Sequence, residues 1–562
     1  MDIHNRDILL LGGSGLVGSA ILQHISTYNP RKVVILSLLE EESREVCQEM
    51  SEAYPKITYH PEWGNVFVRD ELKNLDRSEL LNNEISRQKL LADNLEAFTP
   101  EMLGHSFLHQ VISIHKPNII IDSINTSTAL AYQDVYQSYY QLQDSLKSKD
   151  QHIDRAQVEK MLTTLYIPQI IRHIQILHTS MLKNKTSVYI KIGTTGTGGM
   201  GLNIPYTHSE ERPSRVLLSK SSLAGAHTML LFLMGRTPGG PICKEIKPAA
   251  AIAWKGIHYG EIKKRGQFIP LYDCTFENAE TINDLFSRVG EKKWDDLEEN
   301  LKSVYIDSGE NGTFSSGEFE TITAVGQMEF VTPEEIATNV ILEILGDSTG
   351  HDIINALDNS IMGPTYRAGY MRHQALSQMD NLKKKHASDS VAFEILGPPR
   401  LSKILYEAHL LSKVCGDLKC VTVLDETDLA EKVETQIKND QKLRSHALSI
   451  GIPILLKDGK SLLRGPVVKI PTSEEGHNLV ADIDNINRWA NAGWIDLRQE
   501  NMVKWKKRME NILEWVQGLS EEDSSSRFTH GRQHWDLDQQ LNIGKVAAWI
   551  FMHEDDGIRF KS

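Results

Sequence analysis

Cysteine is sparse in this chain. Five residues in 562 (Cys47, Cys243, Cys274, Cys415, Cys420) are scattered, and the count is odd. No Cys-x-x-Cys pair and no local Cys/His ligand set occurs, which argues against structural zinc and predicts no metal site. Sparse, odd cysteine also fits a reducing compartment, so a cytoplasmic location is expected. Long hydrophobic runs are missing too. No stretch reaches the ~18 apolar residues that a membrane span requires, and Met229-Leu230-Leu231-Phe232-Leu233-Met234 reads as a short buried helix segment. The first residues run straight into a strand pattern, which predicts no signal peptide and no membrane partner. Positive charge is in deficit: 61 Lys and Arg stand against 75 Asp and Glu, a formal net charge of −14. The basic cluster Lys383-Lys384-Lys385-His386 is short and reads as a solvated helix end, so nucleic acid is excluded as a partner.

Against these deficits stands one dense local signal. Asp7-Ile8-Leu9-Leu10-Leu11 is an apolar run of strand length. Gly12-Gly13-Ser14-Gly15-Leu16-Val17-Gly18 follows at once and opens an apolar helical pattern. Gly12 permits a tight turn, Gly15 lets the backbone approach a pyrophosphate, and Gly18 lets the helix pack close to the strand. The helix N-terminus offers free N–H groups and a partial positive charge to phosphates. The expected cofactor-binding residues are Gly12, Ser14, Gly15, Leu16, Val17 and Gly18.

Strand and helix patterns alternate through the first half. Strands are expected at 32–37, ending near 65–70, at 117–122 and at 187–192. Long helices are expected at 164–182 and from about Ser214 to Arg236. This alternation predicts an α/β fold with a doubly wound parallel Rossmann sheet. Thr332-Pro333-Glu334-Glu335 is a helix start with a capping box. Residues 308–326 read as a loop or hairpin, and Gly544–Phe551 as a closing strand. The expected division is a dinucleotide-binding domain over 1–245, a smaller substrate-binding region with late Rossmann elements over 246–382, and a mixed α/β C-terminal extension over 390–562.

Three later stretches align with the glycine turn: Asp122-Ser123-Ile124-Asn125-Thr126-Ser127, Gly193-Thr194-Thr195-Gly196-Thr197, and Arg215-Val216-Leu217-Leu218-Ser219-Lys220. In this order, and with Lys247-Pro248-Ala249 and Glu329–Ala337 further on, residues 7–350 resemble the short-chain dehydrogenase/reductase superfamily. The likeness is to its extended, epimerase/dehydratase-like branch. The resemblance implies that Thr195 positions a substrate hydroxyl or carbonyl, with Thr197 beside it. It also implies that Lys220 binds the nicotinamide ribose, and that Ser37, Ser123 and Asn125 line the cofactor. The proton-transferring tyrosine of that family belongs four residues before Lys220, on the same helical face. Val216 stands there, and valine carries no proton. Tyr206 is the first candidate donor, from a neighbouring loop, with His208 beside it and His258 and Tyr259 as further candidates.

Ser37 occupies the place where an acid selects NAD, so NADP or NAD is expected. Arg367 and Arg372, within Met362–His373, suit a phosphate or carboxylate of the substrate. The helices at 164–182 and 214–235 hold the places where the resembled family pairs into a homodimer. Two functions follow. One is an NAD(P)-dependent oxidoreductase, or epimerase/dehydratase-like enzyme, acting on a hydroxyl or carbonyl of a polar small molecule with an atypical proton donor. The alternative is a catalytically silent dinucleotide-binding regulatory protein.

Overall fold

The strand Asp7–Leu11 (β1) is buried at every position and lies third from one edge of a sheet of eight described strands. In the computed structural model the described residues are 1–131, 133, 135–147, 154–193, 215–248, 251–264, 266–282, 293–309, 312–324, 331–347, 352–353, 359–362, 366–394, 399–471, 482–518, 535 and 540–554. Within them β1 leads through the glycine turn into helix α1 (Leu16–Ser26). Strand β2 (Lys32–Ser37), helix α2 (Glu40–Ala53) and strand β3 (Thr58–Trp63) follow. Helix α3 (Phe107–His115) returns to β4 (Ile119–Asp122) and the short helix α4 (Thr126–Ala131). Then come α5 (Tyr166–Asn184), β5 (Val188–Ile192), α6 (Arg215–Arg236), β6 (Ile242–Pro248), α7 (Pro333–Leu345), β7 (Asp352–Ile353) and β8 (Asn359–Met362).

The sheet order is β7-β8-β6-β5-β4-β1-β2-β3. Every neighbouring pair is parallel except β7 with β8. The run 3-2-1-4-5-6 within it is the doubly wound Rossmann order, as the alternation predicts. Parallel strands must be covered on both faces, and they are. One face packs Ile8, Leu10, Val33, Ile35 and Ile190 against α1 and α7 (Ile21, Ile25, Ile336, Val340). The other packs Leu9, Leu11, Val34, Leu36 and Ile120 against α3, α5 and α6 (Leu108, Leu177, Met181, Leu231). The capping box forms at α7 as expected, with Thr332 and Glu335 exchanging side-chain and backbone bonds.

Two compact units emerge. The first, holding this sheet, comprises Met1–Gly201, Pro213–Ala253 and Glu329–Tyr370; the second comprises Leu202–Arg212, Trp254–Met328 and Met371–Ser562. The stretch 246–382 is therefore shared between them. The second unit mixes helices (Pro399–Cys415, Glu426–Asn439, Gln499–Gln517) with short strands around Trp489, Trp494 and Trp505. Its buried Glu407 takes the Lys403 ammonium and accepts from Asp496 N at 2.8 Å and Trp505 Nε1 at 2.7 Å.

Three sequence expectations fail here. Gly544–Phe551 lies within a helix, Ile543–His553, capped by Asn542, whose side chain accepts from Lys545 N. The third strand is Thr58–Trp63, ending before Asn65, because its polar residues suit a sheet edge. Residues 308–326 contain a helix, Ser316–Ile322, with its own capping box.

The glycine turn is tight enough to exclude a side chain. A Cβ on Gly18 would lie 2.2 Å from Gly12 O. Gly18→Ala is expected to lower stability by roughly 1–3 kcal/mol through overpacking, read as a reduced midpoint of the unfolding transition in urea.

Candidate active site

Three backbone features shape the turn between β1 and α1. Gly12 takes φ +80°, a left-handed value suited to glycine. Gly12 N and Gly13 N donate to Leu36 O at 2.8 and 3.2 Å, tying the turn to the end of β2. Gly15 is the N-cap of α1 and supplies no side-chain cap, so the first N–H groups of the helix keep their capacity for an anion. A dinucleotide pyrophosphate fits this cradle on both counts: close backbone approach and uncapped donors.

Ser14 Oγ donates to Glu42 Oε2 at 3.0 Å, which brings a carboxylate of α2 to the glycine turn. Ser123 Oγ lies 2.8 Å from Leu11 O and 3.1 Å from Gly12 O, so it braces the turn. A Cβ on Gly12 would meet that hydroxyl at 2.8 Å. Asn125 is half-buried in the same β4–α4 turn. Ser37 is buried at the end of β2, and its hydroxyl has no hydrogen-bond partner among the described residues. Lys220 is buried on α6, on the side that also buries Leu223, Ala224 and His227. Position 216 falls in the first turn of α6, as the spacing predicts. Thr195, Thr197 and Tyr206 lie outside the described residues. Arg367 and Arg372 are not brought to this turn by any described contact. Arg367 pairs with Glu334 at 3.3 Å, and Arg372 Nε donates to Thr323 Oγ1 at 2.8 Å in the second unit.

The structure adds a group that residue-by-residue motif reading passed over. Asp122, Lys191 and Glu245 stand opposite one another across β4, β5 and β6. Alternation along each strand turns all three toward the α5/α6 face. Lys191 Nζ is 2.9 Å from Asp122 Oδ1, 2.6 Å from Ile124 O and 3.1 Å from Thr126 Oγ1. Tyr189 Oη donates to Asp122 Oδ2 at 2.8 Å, and burial together with that carboxylate pushes the phenol well above its ordinary value. Glu245 is buried, and burial pushes its carboxyl up against the pull of Lys247, Thr228 and Lys191. Lys247 Nζ lies 3.6 Å from Glu245 Oε1, while Glu245 Oε2 has no hydrogen-bond partner among the described residues. Gly193, at the end of β5, makes room for this carboxyl: a Cβ there would sit 2.1 Å from Glu245 Oε1. Burial also holds two histidines of the same layer neutral, His173 down to about 4 and His227 well below its ordinary value.

A signal for this group was present. Parallel strands covered on both faces read as near-continuous apolar runs. Lysine in Val188-Tyr189-Ile190-Lys191-Ile192 and glutamate in the following strand break that rule.

Comparison with known families finds one over the second half. Residues 271–555 match the beta-methylindole-3-pyruvate reductase C-terminal domain. The chain belongs to that reductase family. A comparison with curated proteins finds no match. Among solved structures, Pen from Bacillus thuringiensis is 9% identical, covering 68% of this chain and 78% of its own, with a TM-score of 0.30. A 3-oxoacyl-(acyl-carrier-protein) reductase from Agrobacterium tumefaciens with NADP bound is 12% identical, covering 44% of this chain and 70% of its own, at 0.24. A short-chain dehydrogenase from Burkholderia cenocepacia in complex with NADP is 10% identical, covering 69% of this chain and 100% of its own, at 0.29. The range matched by the reductase family includes α7 and β8, which belong to the Rossmann unit.

Glu42 controls the charge beside Ser14. A carboxylate there repels a 2′-phosphate and suits a ribose hydroxyl. Glu42→Ala is expected to shift the NADP-to-NAD affinity ratio toward NADP by roughly 5- to 10-fold, about the 1–1.4 kcal/mol of one solvent-screened charge pair. Fluorescence titration with NADPH and NADH measures that ratio.

Proposed function

We propose that this chain is an NAD(P)-dependent oxidoreductase that reduces the carbonyl of a polar 2-oxo acid, in the manner that the reductase family's name describes. The uncapped, close-packed glycine turn carries the proposal for the cofactor. The reduced cofactor, NADPH or NADH, would supply the hydride when bound and leave as NADP or NAD. Membership of the family supports a substrate of the aryl-pyruvate class.

The chain's own residues take the remaining roles. Ser123 and Lys191 brace the β1–α1 and β4–α4 turns that border the cofactor. Thr195 is assigned to the substrate oxygen, with Thr197 beside it, and Lys220 to the ribose. Arg367 and Arg372, each with a protein partner already, lose the substrate-binding assignment to these residues.

Val216 leaves the proton unassigned. Among the described residues of the buried row, Glu245 is the one whose surroundings favour its protonated form, and it keeps an oxygen with no partner. We assign the proton to its carboxyl. When it ionises, Lys247 and Lys191 stand ready to stabilise the carboxylate, and solvent restores the proton between turnovers. Tyr206 is the competing donor. Val216 also supports the second reading, a dinucleotide-binding protein without turnover.

The test is NADPH and NADH consumption with indole-3-pyruvate, beta-methylindole-3-pyruvate and phenylpyruvate. Turnover is expected with at least one pairing. Glu245→Gln is expected to lower kcat by ~10²-fold with dinucleotide affinity unchanged. A loss confined to Tyr206→Phe would transfer the assignment to that residue. Dinucleotide binding without turnover on any 2-oxo acid favours the regulatory reading.

A homodimer is the proposed assembly. Helices α5 and α6 turn apolar side chains outward: Ile167, Ile171 and Leu182 on one, Leu218, Met229 and Leu233 on the other, all between 40% and 58% exposed. Exposed apolar side chains on adjacent helices support an interface there. Sedimentation at twice the 63.5 kDa chain mass is expected, and Met229→Glu with Leu233→Glu should yield the monomer.

A further inference from the structure

Three metal-ligating side chains meet at the free edge of the sheet, away from any role given above. His60 and Glu62 lie two apart on β3, so both project from one side of the strand. The register pairs them with Val34 and Leu36 of β2, which belong to the core beneath α3. That side therefore faces α3, and α3 delivers His115 from its last turn. His115 Nε2 lies 2.8 Å from Glu62 Oε1, and His60 Nε2 lies 3.7 Å from the same oxygen. One ligand atom from each of the three falls within 4.8 Å of the others.

Tetrahedral zinc with ligands at 2.0–2.2 Å separates them by roughly 3.4 Å. The observed separations bracket that value, so small side-chain rotations suffice. Two imidazoles and one carboxylate form a borderline donor set suited to Zn²⁺, with one coordination position left for water. Burial grades across the group, from a buried His115 through a half-buried Glu62 to an exposed His60, which gives an entry route. Two lysines stand nearby, and Lys32 shares its acid, Asp7, with Arg31. Lys32 Nζ lies 3.6 Å from Asp7 Oδ2 and donates to His115 O at 3.1 Å. Lys73 Nζ lies 3.1 Å from Asp70 Oδ1.

We propose that His60, Glu62 and His115 form a zinc site that clamps the edge strand β3 to helix α3. Zn²⁺ takes the place of the hydrogen between His115 Nε2 and Glu62, with His115 ligating as the neutral imidazole whose N–H is on Nδ1 and with no change of oxidation state. Sequence spacing could not show the site, because its third ligand lies 53 positions beyond the second. The expectation of no metal site rested on local spacing alone.

The test is calorimetric titration of the chelator-treated full chain with Zn²⁺, followed by Co²⁺ absorption. One equivalent should bind at micromolar affinity or tighter, Co²⁺ should give the visible bands of four-coordination, and thermal unfolding should rise by about 2–5 °C. His60→Gln, Glu62→Gln and His115→Gln should each weaken binding at least ~10-fold. His60 is exposed, so its variant keeps the fold even if the buried His115 variant does not. Failure of the wild-type chain to bind, or binding that the His60 variant leaves unchanged, overturns the proposal.

Discussion

Burying an ammonium among three central strands costs several kcal/mol of hydration unless every N–H finds an acceptor. Lys191 finds three: Asp122 Oδ1, Ile124 O and Thr126 Oγ1. Two of these belong to the turn after β4. The lysine thus acts as a tie between β5 and the β4–α4 turn. Ser123, in that same turn, braces the glycine turn through Leu11 and Gly12. The chain of dependence runs from one buried charge, through a turn, to the cradle where a pyrophosphate fits. Removing one member of a buried pair is costly, because the other stays unpaired in a poor solvent for charge. The hydrophobic faces fold this sheet, and the polar row sets the positions of its ends.

That division explains which parts could be read from sequence. The glycine turn was legible because each glycine answers a local steric demand within seven residues. The helix start at Thr332 was legible for the same reason. Helix Ile543–His553 was not, since a short apolar run satisfies strand and buried helix alike, and Asn542 was the one discriminating residue. Strand Thr58–Trp63 was hidden by its own polarity, which an edge position allows. The Asp122–Lys191–Glu245 row is a product of register across three strands, its members far apart along the chain. No window along the chain contains it, although charged residues within apolar strands mark its members one by one.

The family match and the folding units cut the chain in different places. Residues 329–370 lie inside the matched range 271–555, yet they build α7 and β8 of the Rossmann unit. Ile336, Val340 and Ile344 of α7 pack in the same core as Ile21 and Ile25 of α1. The carboxyl half therefore completes the core that the amino half begins. A fragment starting at 271 leaves this apolar face without its sheet, and a fragment ending before 329 uncovers one face of a parallel sheet that requires both.

Val216 and Glu245 bear on the same requirement from opposite sides. Carbonyl reduction adds a proton as well as a hydride, and a valine on α6 supplies none. A buried carboxyl serves only if it is protonated at working pH and can lose its proton without stranding a charge. Burial acts toward the first condition for Glu245 by raising its carboxyl above the ordinary value. Lys247 at 3.6 Å meets the second by stabilising the carboxylate once formed. Gly193 meets a third, since any larger residue at the end of β5 would occupy the space the carboxyl needs. Lys247 and Gly193 thus converge on one carboxyl, as the proposed proton transfer from Glu245 requires.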